Sequence, residues 1–478
     1  MTTRSFAPLS RRRFLASTAL LAGAAALPLA ARADAPALRV TRRSLEVHGR
    51  AASVFGLVGP DGKSGLMLDP GQRFAFDLGN EAGTDTIVHW HGQTPPPAED
   101  GVTDTGYALA LKDGERRGYD FAPRPGTHWM HSHHGLQEQL LLAAPLIVHG
   151  PEDLRRDAQE VVVLLHDFSF RDPAELLAGL TRGGAGMGGM DMSNMPGMDM
   201  GGMDHGSGLP ADLNDVAYDA YLANDRTLAD PEVVAVERGG RVHLRLINGA
   251  TATAFWIDLG TLDGSVVAAD GNPVQPVAGR RFPMAQGQRL DILIALPAEG
   301  GVFPILAQRE GDRARTGILL ATPGAAIAKI GETAGQPANA VDNTLEARLS
   351  AVAPLAEKPA DVAYRLDLTG SMMPYQWSID GRTWQDRVPL AVTAAQRVEI
   401  ELVNRSMMAH PMHLHGHHFQ VTALDGSPLP GAMRDTVLVP VNGRVTIAFD
   451  ADNPGRWLFH CHNLFHMATG MMTELIYA

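Results

Sequence analysis

The chain reads as an all-β protein made of several barrels. Three observations predict this. Gly (51 residues) and Pro (32 residues) interrupt the sequence at short intervals. Between them lie short runs of Val, Ile and Leu bounded by turn residues, the pattern of strands. Long amphipathic helical patterns are scarce, so helices cannot carry the architecture.

The first 33 residues stand apart. Ser10-Arg11-Arg12-Arg13-Phe14-Leu15 has the form of a twin-arginine export signal, an apolar run follows from Ala16 to Ala30, and Ala31-Arg32-Ala33 is a small-x-small cleavage site. The run is short against the roughly 20 residues that a membrane-spanning helix needs. The expectation is a leader handled by the twin-arginine machinery and removed near Ala33, leaving a periplasmic protein without stable membrane insertion. The leader holds five of the 40 Lys+Arg and none of the 53 Asp+Glu, which leaves a formal charge of −18 on the rest. That balance argues against nucleic acid or an anionic membrane as partner; it is compatible with attracting cations, and an acidic surface is also an ordinary solubility device.

The remaining length suits two to four domains. VVVLLHDF, RVHLRLIN, RLDILIAL, RVEIELVN and RVTIAFD read as strands along it. The expected division is a first domain over 34–150, a second over 151–323, a linker or long connection over 324–359, and a third domain over 360–478. The second contains an insertion, Gly183 to Gly208, with Met187, Met190, Met192, Met195, Met198, Met200 and Met203 interleaved with Asp and His205. Its glycines resist regular structure and it has no branched apolar residue to form a core. Thioethers are soft ligands that suit Cu(I), so the segment is a candidate for Cu(I) capture.

The histidines carry the chemistry. Cys461 is the only cysteine, so it cannot form an intramolecular disulfide, and it lies between His460 and His462 in a segment that continues to His466 and Met471. A lone thiolate with His and Met downstream is the ligand chemistry of a blue-copper site. On an extended strand neighbouring side chains point to opposite faces. Cys461 then faces one metal while His460 and His462 face another. Three more His-x-His pairs exist: His89/His91, His131/His133 and His413/His415. Together the eight histidines can hold three metal ions with positions open for a small ligand. His410, at an odd offset from His413, falls on the other face and can join Cys461, His466 and Met471. The second domain has no His-x-His pair and no Cys. It is expected to act as a spacer while the two ends of the chain meet around the cluster.

HWHG, HSHH, HPMHLHGHHF and HCHNLFHMATGMM together resemble the multicopper oxidases, the laccase-like family. PGTHWMHSHHGLQEQLLLAAPLIV, AADGNPV and DNPGRWLFHCH extend the resemblance over nearly the whole chain after the leader. It implies three cupredoxin-like Greek-key β-barrels and four copper ions. It implies that His410, Cys461, His466 and Met471 hold type 1 copper, with the spacing from the Cys selecting Met471 over Met472. It implies that His89 and His413 hold type 2 copper, and that His91, His131, His133, His415, His460 and His462 hold the type 3 pair. A reductant then gives single electrons at type 1 copper, Cys461 with His460 and His462 conducts them, and dioxygen is reduced to water.

Asp100, in AEDGV after HWHG, matches an acidic position that serves proton transfer in relatives. Met467 departs from the pattern, since many relatives carry Glu directly after the final type 1 His. The Met-rich insertion and His466-Met467 are similar to features of periplasmic copper-resistance oxidases. The reductant expected is therefore Cu(I), in support of copper tolerance. A laccase oxidising phenols or small aromatics, and a copper-sequestering protein with little turnover, are the alternatives.

Overall fold

The computed structural model describes residues 35–182 and 213–478. The leader and the insertion with Met187 to Met203 lie outside the described residues. From Ala37 to Ala478 the chain forms one unit, and one strand topology occurs in it three times. Ala37–Val47 lies parallel to Phe74–Glu81, which runs antiparallel to Arg116–Phe121. Gln159–Phe168 stands in the same relation to Arg241–Asn248 and Arg289–Ala295. So does Val362–Met372 to Arg397–Asn404 and Arg444–Asp450. The facing sheets repeat as well. Leu66–Leu68, Val233–Ala235 and Leu390–Val392 each lie parallel to a later strand, Ala143–Val148, Arg315–Ala321 and Met472–Tyr477 in turn.

These parallel contacts join strands that are not consecutive, so the chain must cross between facing sheets, as Greek-key barrels do. Six sheets result, paired as four with four strands, six with five, and seven with five. Each pair encloses its own apolar core, around Trp90, Phe255 and Trp377 respectively.

The strands form where the sequence alternates. In Arg397–Asn404, Val398, Ile400 and Leu402 are buried while Glu399 and Glu401 are half-buried. In Arg444–Asp450, Val445, Ile447 and Phe449 are buried. Period-2 burial of this kind pins the register, because a one-residue slip would turn every apolar side chain outward. The longest helix among the described residues, Pro173–Thr181, has nine residues, starts with Pro, and is capped by the Asp172 side chain on Ala174 N–H. No helix among the described residues is long and apolar enough to cross a membrane.

The stretch 324–359, expected as a linker or long connection, is anchored to the folded unit. Val341, Leu345 and Leu349 are buried. Glu346 accepts hydrogen bonds from Arg434 Nε at 3.0 Å and Nη2 at 2.9 Å, and Arg434 Nη1 lies 3.2 Å from Asp270. All three side chains are buried, and removing one partner of such a group strands the others in low dielectric. Arg434→Ala should therefore cost about 3–5 kcal/mol and lower the thermal unfolding midpoint by several degrees. A midpoint unchanged by the substitution would show that the connection is held by its apolar contacts instead.

Candidate metal centre

Strand register brings the histidines together. Val88–His91 pairs antiparallel with Gly126–Ser132, setting His89 opposite His131 and Trp90 opposite Met130. Trp90 and Met130 enter the apolar core, so alternation turns the histidines to the other face. His410–Leu414 pairs with Arg456–Cys461, setting His413 opposite His460 and Met412 opposite Cys461. Met412 and Cys461 belong to one apolar core, and His413 and His460 face away from it.

Five groups of potential ligands result, all buried: His89/His91/His413, His91/His131/His462, His133/His415/His460, His410/Cys461/His466 and His89/Asp100/His415. In the fourth, Cys461 Sγ lies 3.6 Å from Nδ1 of both His410 and His466, and those nitrogens are 3.1 Å apart. Elsewhere His415 Nε2 and His460 Nε2 face each other at 3.0 Å. Among the described residues no group has all its members within 151–323.

The donor set fits copper. His89 Nε2, His91 Nδ1, His131 Nε2, His133 Nε2, His413 Nε2 and both ring nitrogens of His462 are buried without a hydrogen-bond partner. Buried polar atoms left without partners need an explanation, and a shared metal supplies one. Burial also keeps most of the ligand rings neutral. It pushes His91, His131, His133, His410, His413 and His415 well below the ordinary imidazole value, and His460 and His462 down to about 3. Neutral imidazoles keep the lone pair that a metal takes. Burial pushes the Cys461 thiol up, so its thiolate requires a cation beside it.

The outer nitrogens are fixed by acceptors. His89 Nδ1 donates to Asp100 O at 2.8 Å, and His413 Nδ1 to Asp435 O at 2.9 Å. His415 Nδ1 donates to Asp100 Oδ2 at 2.9 Å, His91 Nε2 to Asp435 Oδ1 at 3.0 Å, and His131 Nδ1 to Glu138 Oε2 at 2.8 Å. Such partners choose the tautomer and aim the free nitrogen. Burial pushes Asp435 up, but the Arg289 guanidinium outweighs it and holds the carboxyl well below its usual range. Burial pushes Glu138 up to about 7, with His462 and His166 pulling it back.

The methionines of the insertion and His205 lie outside the described residues. Met471 is fully buried in the core that holds Cys461, and its carbonyl accepts the Cys461 N–H at 3.0 Å. Met472 packs on the other side, with Val102, Leu458 and Met467. His417 is buried and His418 half-buried, and they are hydrogen-bonded, to Tyr477 Oη at 2.6 Å and Gly92 O at 2.9 Å respectively.

Sequence reasoning missed four charged residues. Glu138, Arg289 and Asp435 lie behind the cluster, and Asp215 Oδ2 sits 3.2 Å from His466 Nε2. The middle stretch is thus more than a spacer, since it supplies Arg289 and Asp215. Gly287 (φ +78°) also belongs to it, and a Cβ there would fall 2.8 Å from the His462 ring.

These protonation properties predict an acid-labile metal-free fold. Below about pH 6.5 the unfolded chain binds protons that the buried histidines refuse, so stability falls with pH until about 3. Glu138, Glu310 and Asp270, raised by burial to about 7, 7 and 6, act in the opposite sense, but three groups are outnumbered. The copper-free protein should melt lower at pH 5 than at pH 7.5. Equal midpoints would refute the neutral-imidazole account.

Three comparisons agree with this geometry. Family models described as multicopper oxidase match residues 58–153, 160–329 and 357–478. "Multicopper oxidase MmcO" of Mycobacterium tuberculosis is 32% identical over 418 residues, spanning 85% of this chain and 80% of that protein. "Copper resistance protein A" of Escherichia coli is 26% identical, spanning 88% of each. Among solved structures, that of Fet3p, a multicopper oxidase that functions in iron import, superposes with a TM-score of 0.76 at 18% identity, covering 92% of this chain and 90% of that one.

Proposed function

Because this chain belongs to the multicopper oxidase family, we propose that it oxidises Cu(I) at the expense of dioxygen and supports copper tolerance in the periplasm, to which its leader directs it. In this reading His410, Cys461, His466 and Met471 hold type 1 copper. His89 and His413 hold type 2 copper. His91/His131/His462 and His133/His415/His460 hold the type 3 pair. Copper, when bound, supplies the one-electron steps and the reduction of dioxygen to water. The chain's own residues admit the reductant, connect the sites and hold protons.

The observation that carries the substrate reading is the surrounding of His466. Asn463 Nδ2 donates to Asp215 Oδ2 at 2.7 Å, beside the His466 ring. Burial pushes Asp215 up, but His466 and its hydrogen-bond donors outweigh it and keep the carboxyl below its ordinary range. Asn463 also lines a small cavity with Leu213, Gln286, Glu310, Met408 and Leu438. Among the described residues no aromatic ring lines it. A phenol favours an apolar, ring-lined slot. A thioether from Met408 and one acid, Glu310, in the lining, with Asp215 behind Asn463, suit a soft monovalent cation better. The net negative charge favours its approach, and the insertion from Met187 to Met203 would concentrate it.

Inside, Cys461 joins the two regions covalently through His460 and His462, whose backbone carries the connection without a gap. Asp100 Oδ2 accepts the His415 Nδ1 proton and its Oδ1 lies 3.3 Å from His89 Nδ1. One carboxylate thus serves two rings, and it is the group placed to hold a proton beside the cluster.

Oxygen uptake by the copper-loaded protein tests this reading. Cu(I) should support faster uptake than a phenol such as 2,6-dimethoxyphenol, and the reverse ranking would favour a laccase. Asp215→Asn should weaken Cu(I) use by about tenfold, the equivalent of ~1.4 kcal/mol, and leave the blue colour intact. A variant lacking 183–208 should keep its fold, since loop length costs little. It should slow on Cu(I) only when copper is limiting. Cu(I) oxidation untouched at every concentration would reject the capture role.

A further inference from the structure

The three all-histidine triads differ in the acids behind them. His133/His415/His460 has Asp100, through His415 Nδ1. His89/His91/His413 has Asp100 and Asp435, through a carbonyl behind His89, a carbonyl behind His413 and Oδ1 behind His91. His91/His131/His462 also meets Asp435 through His91, but Arg289 already neutralises that carboxylate with two hydrogen bonds. His462 has no partner on either ring nitrogen. One acid remains for this triad. Glu138 Oε2 accepts from His131 Nδ1 at 2.8 Å, Oε1 is buried without a partner, and among the described residues no Lys or Arg pairs with it.

Glu138 is also held rigidly. It lies in the 3-10 turn Gln137–Leu140, which ends on Leu141 in the left-handed region (φ +62°). Gln137 Oε1 accepts from Thr86 Oγ1 at 2.7 Å and Ser132 Oγ at 2.9 Å, and Gln137 Nε2 donates to Asp85 O at 2.7 Å. Gln139 Oε1 accepts from Thr251 Oγ1 at 2.6 Å and Tyr218 Oη at 2.9 Å. The residues on both sides are pinned, so the carboxylate between them cannot swing away from His131. A fixed turn that presents a single buried acid is how a supporting shell holds a ligand in one geometry.

We infer that Glu138 is the positioning residue of the His91/His131/His462 metal site: its carboxylate fixes His131 with the proton on Nδ1, presents Nε2 to the metal, and supplies the negative charge that this triad otherwise lacks. Asp100, which also meets His89, has the matching part at His133/His415/His460, so the two ions of the type 3 pair would be backed by different acids. A charged acceptor makes a stronger hydrogen bond than a neutral one and raises the basicity of the ring it holds. The inference rests on the ligand assignment proposed above and not on the identity of the reductant.

The test is copper retention without any substrate. Glu138→Gln keeps an oxygen acceptor and removes the charge, while Glu138→Leu removes both. The loaded variants are challenged with a chelator, and total copper, blue colour and EPR are followed. Glu138→Gln should lose one copper about tenfold faster than the parent, and Glu138→Leu about a hundredfold faster. The blue colour should persist in both. The copper left without its partner should become visible by EPR, a signature that general loosening of the fold would not give. The copper-free Glu138→Gln protein should melt like the copper-free parent, and if Glu138→Leu does not fold, Glu138→Gln decides. Retention equal to the parent's in Glu138→Gln overturns the inference, as does an even loss of copper from every site. A parent that never holds four coppers would instead indict the ligand assignment.

Discussion

The Arg289–Asp435 ion pair is the interaction on which the rest of the centre depends. Both side chains are fully buried. Arg289 donates from Nε to Thr127 O at 3.1 Å, and from Nη1 to Gly287 O at 3.0 Å and Asp435 Oδ1 at 2.7 Å, while Nη2 reaches Asp435 Oδ2. One guanidinium thereby touches chain from all three pairs of sheets. Asp435 in turn accepts from His91 through Oδ1 and from His413 through its carbonyl. Taking two charges out of water costs several kcal/mol each, and only close pairing with full hydrogen bonding offsets it. Here the fork of the guanidinium meets both carboxylate oxygens, and Asp270 adds charge 3.6 Å away. The pair is a joint between barrels and a backstop for two histidines at once.

That joint explains how so many imidazoles can share one cavity. Protonated, they would repel one another. Burial removes the proton, and an acceptor behind several of the rings decides which nitrogen remains free. Close packing does the rest. Gly416 (φ +65°), next to His415, lies so near Trp457 that a Cβ would fall 2.3 Å from the indole. The strand end therefore turns away from the ring without displacing His415. The cost is stored in the fold as nitrogens without partners, and metal binding recovers it. Binding energy and folding energy are linked in such a site.

Much of this was legible in the sequence. The strands RVEIELVN and RVTIAFD alternate apolar and polar residues, and burial with period 2 follows. The His-x-His pairs were legible for the same reason, since a strand puts both rings on one face. Cys461 declared the other face because it is unique. Local pattern ended there. Asp435 meets His91 across 344 positions, and Arg289 meets Asp435 across 146. A single acid or arginine has no spacing to betray it. Glu138 lies seven residues from His131, but a 3-10 turn, not a strand or helix period, brings them together. Asp215 follows the insertion with no pattern of its own. The family spacing selects Met471 over Met472, and packing puts Met471 in the core with Cys461 while Met472 joins another cluster.

The two histidines of the Cys461 group end in different surroundings, and this difference bears on where an electron can enter. His410 Nε2 meets Ser406 Oγ at 2.7 Å, and that hydroxyl also contacts Asn404 Oδ1 at 2.9 Å and Met408 O at 3.1 Å. The His410 edge is closed by a neutral turn. The His466 edge meets Asp215, a carboxylate without an Arg or Lys partner among the described residues. A cation is drawn to the second edge and finds nothing at the first. The same carboxylate stabilises positive charge on the His466 ring, which favours the oxidised state of whatever the ring holds. Attraction of the reductant and tuning of its acceptor thus pull in opposite directions, because a better-stabilised oxidised site accepts electrons less readily. In the Cu(I) reading the compromise favours capture of the cation over driving force at its acceptor.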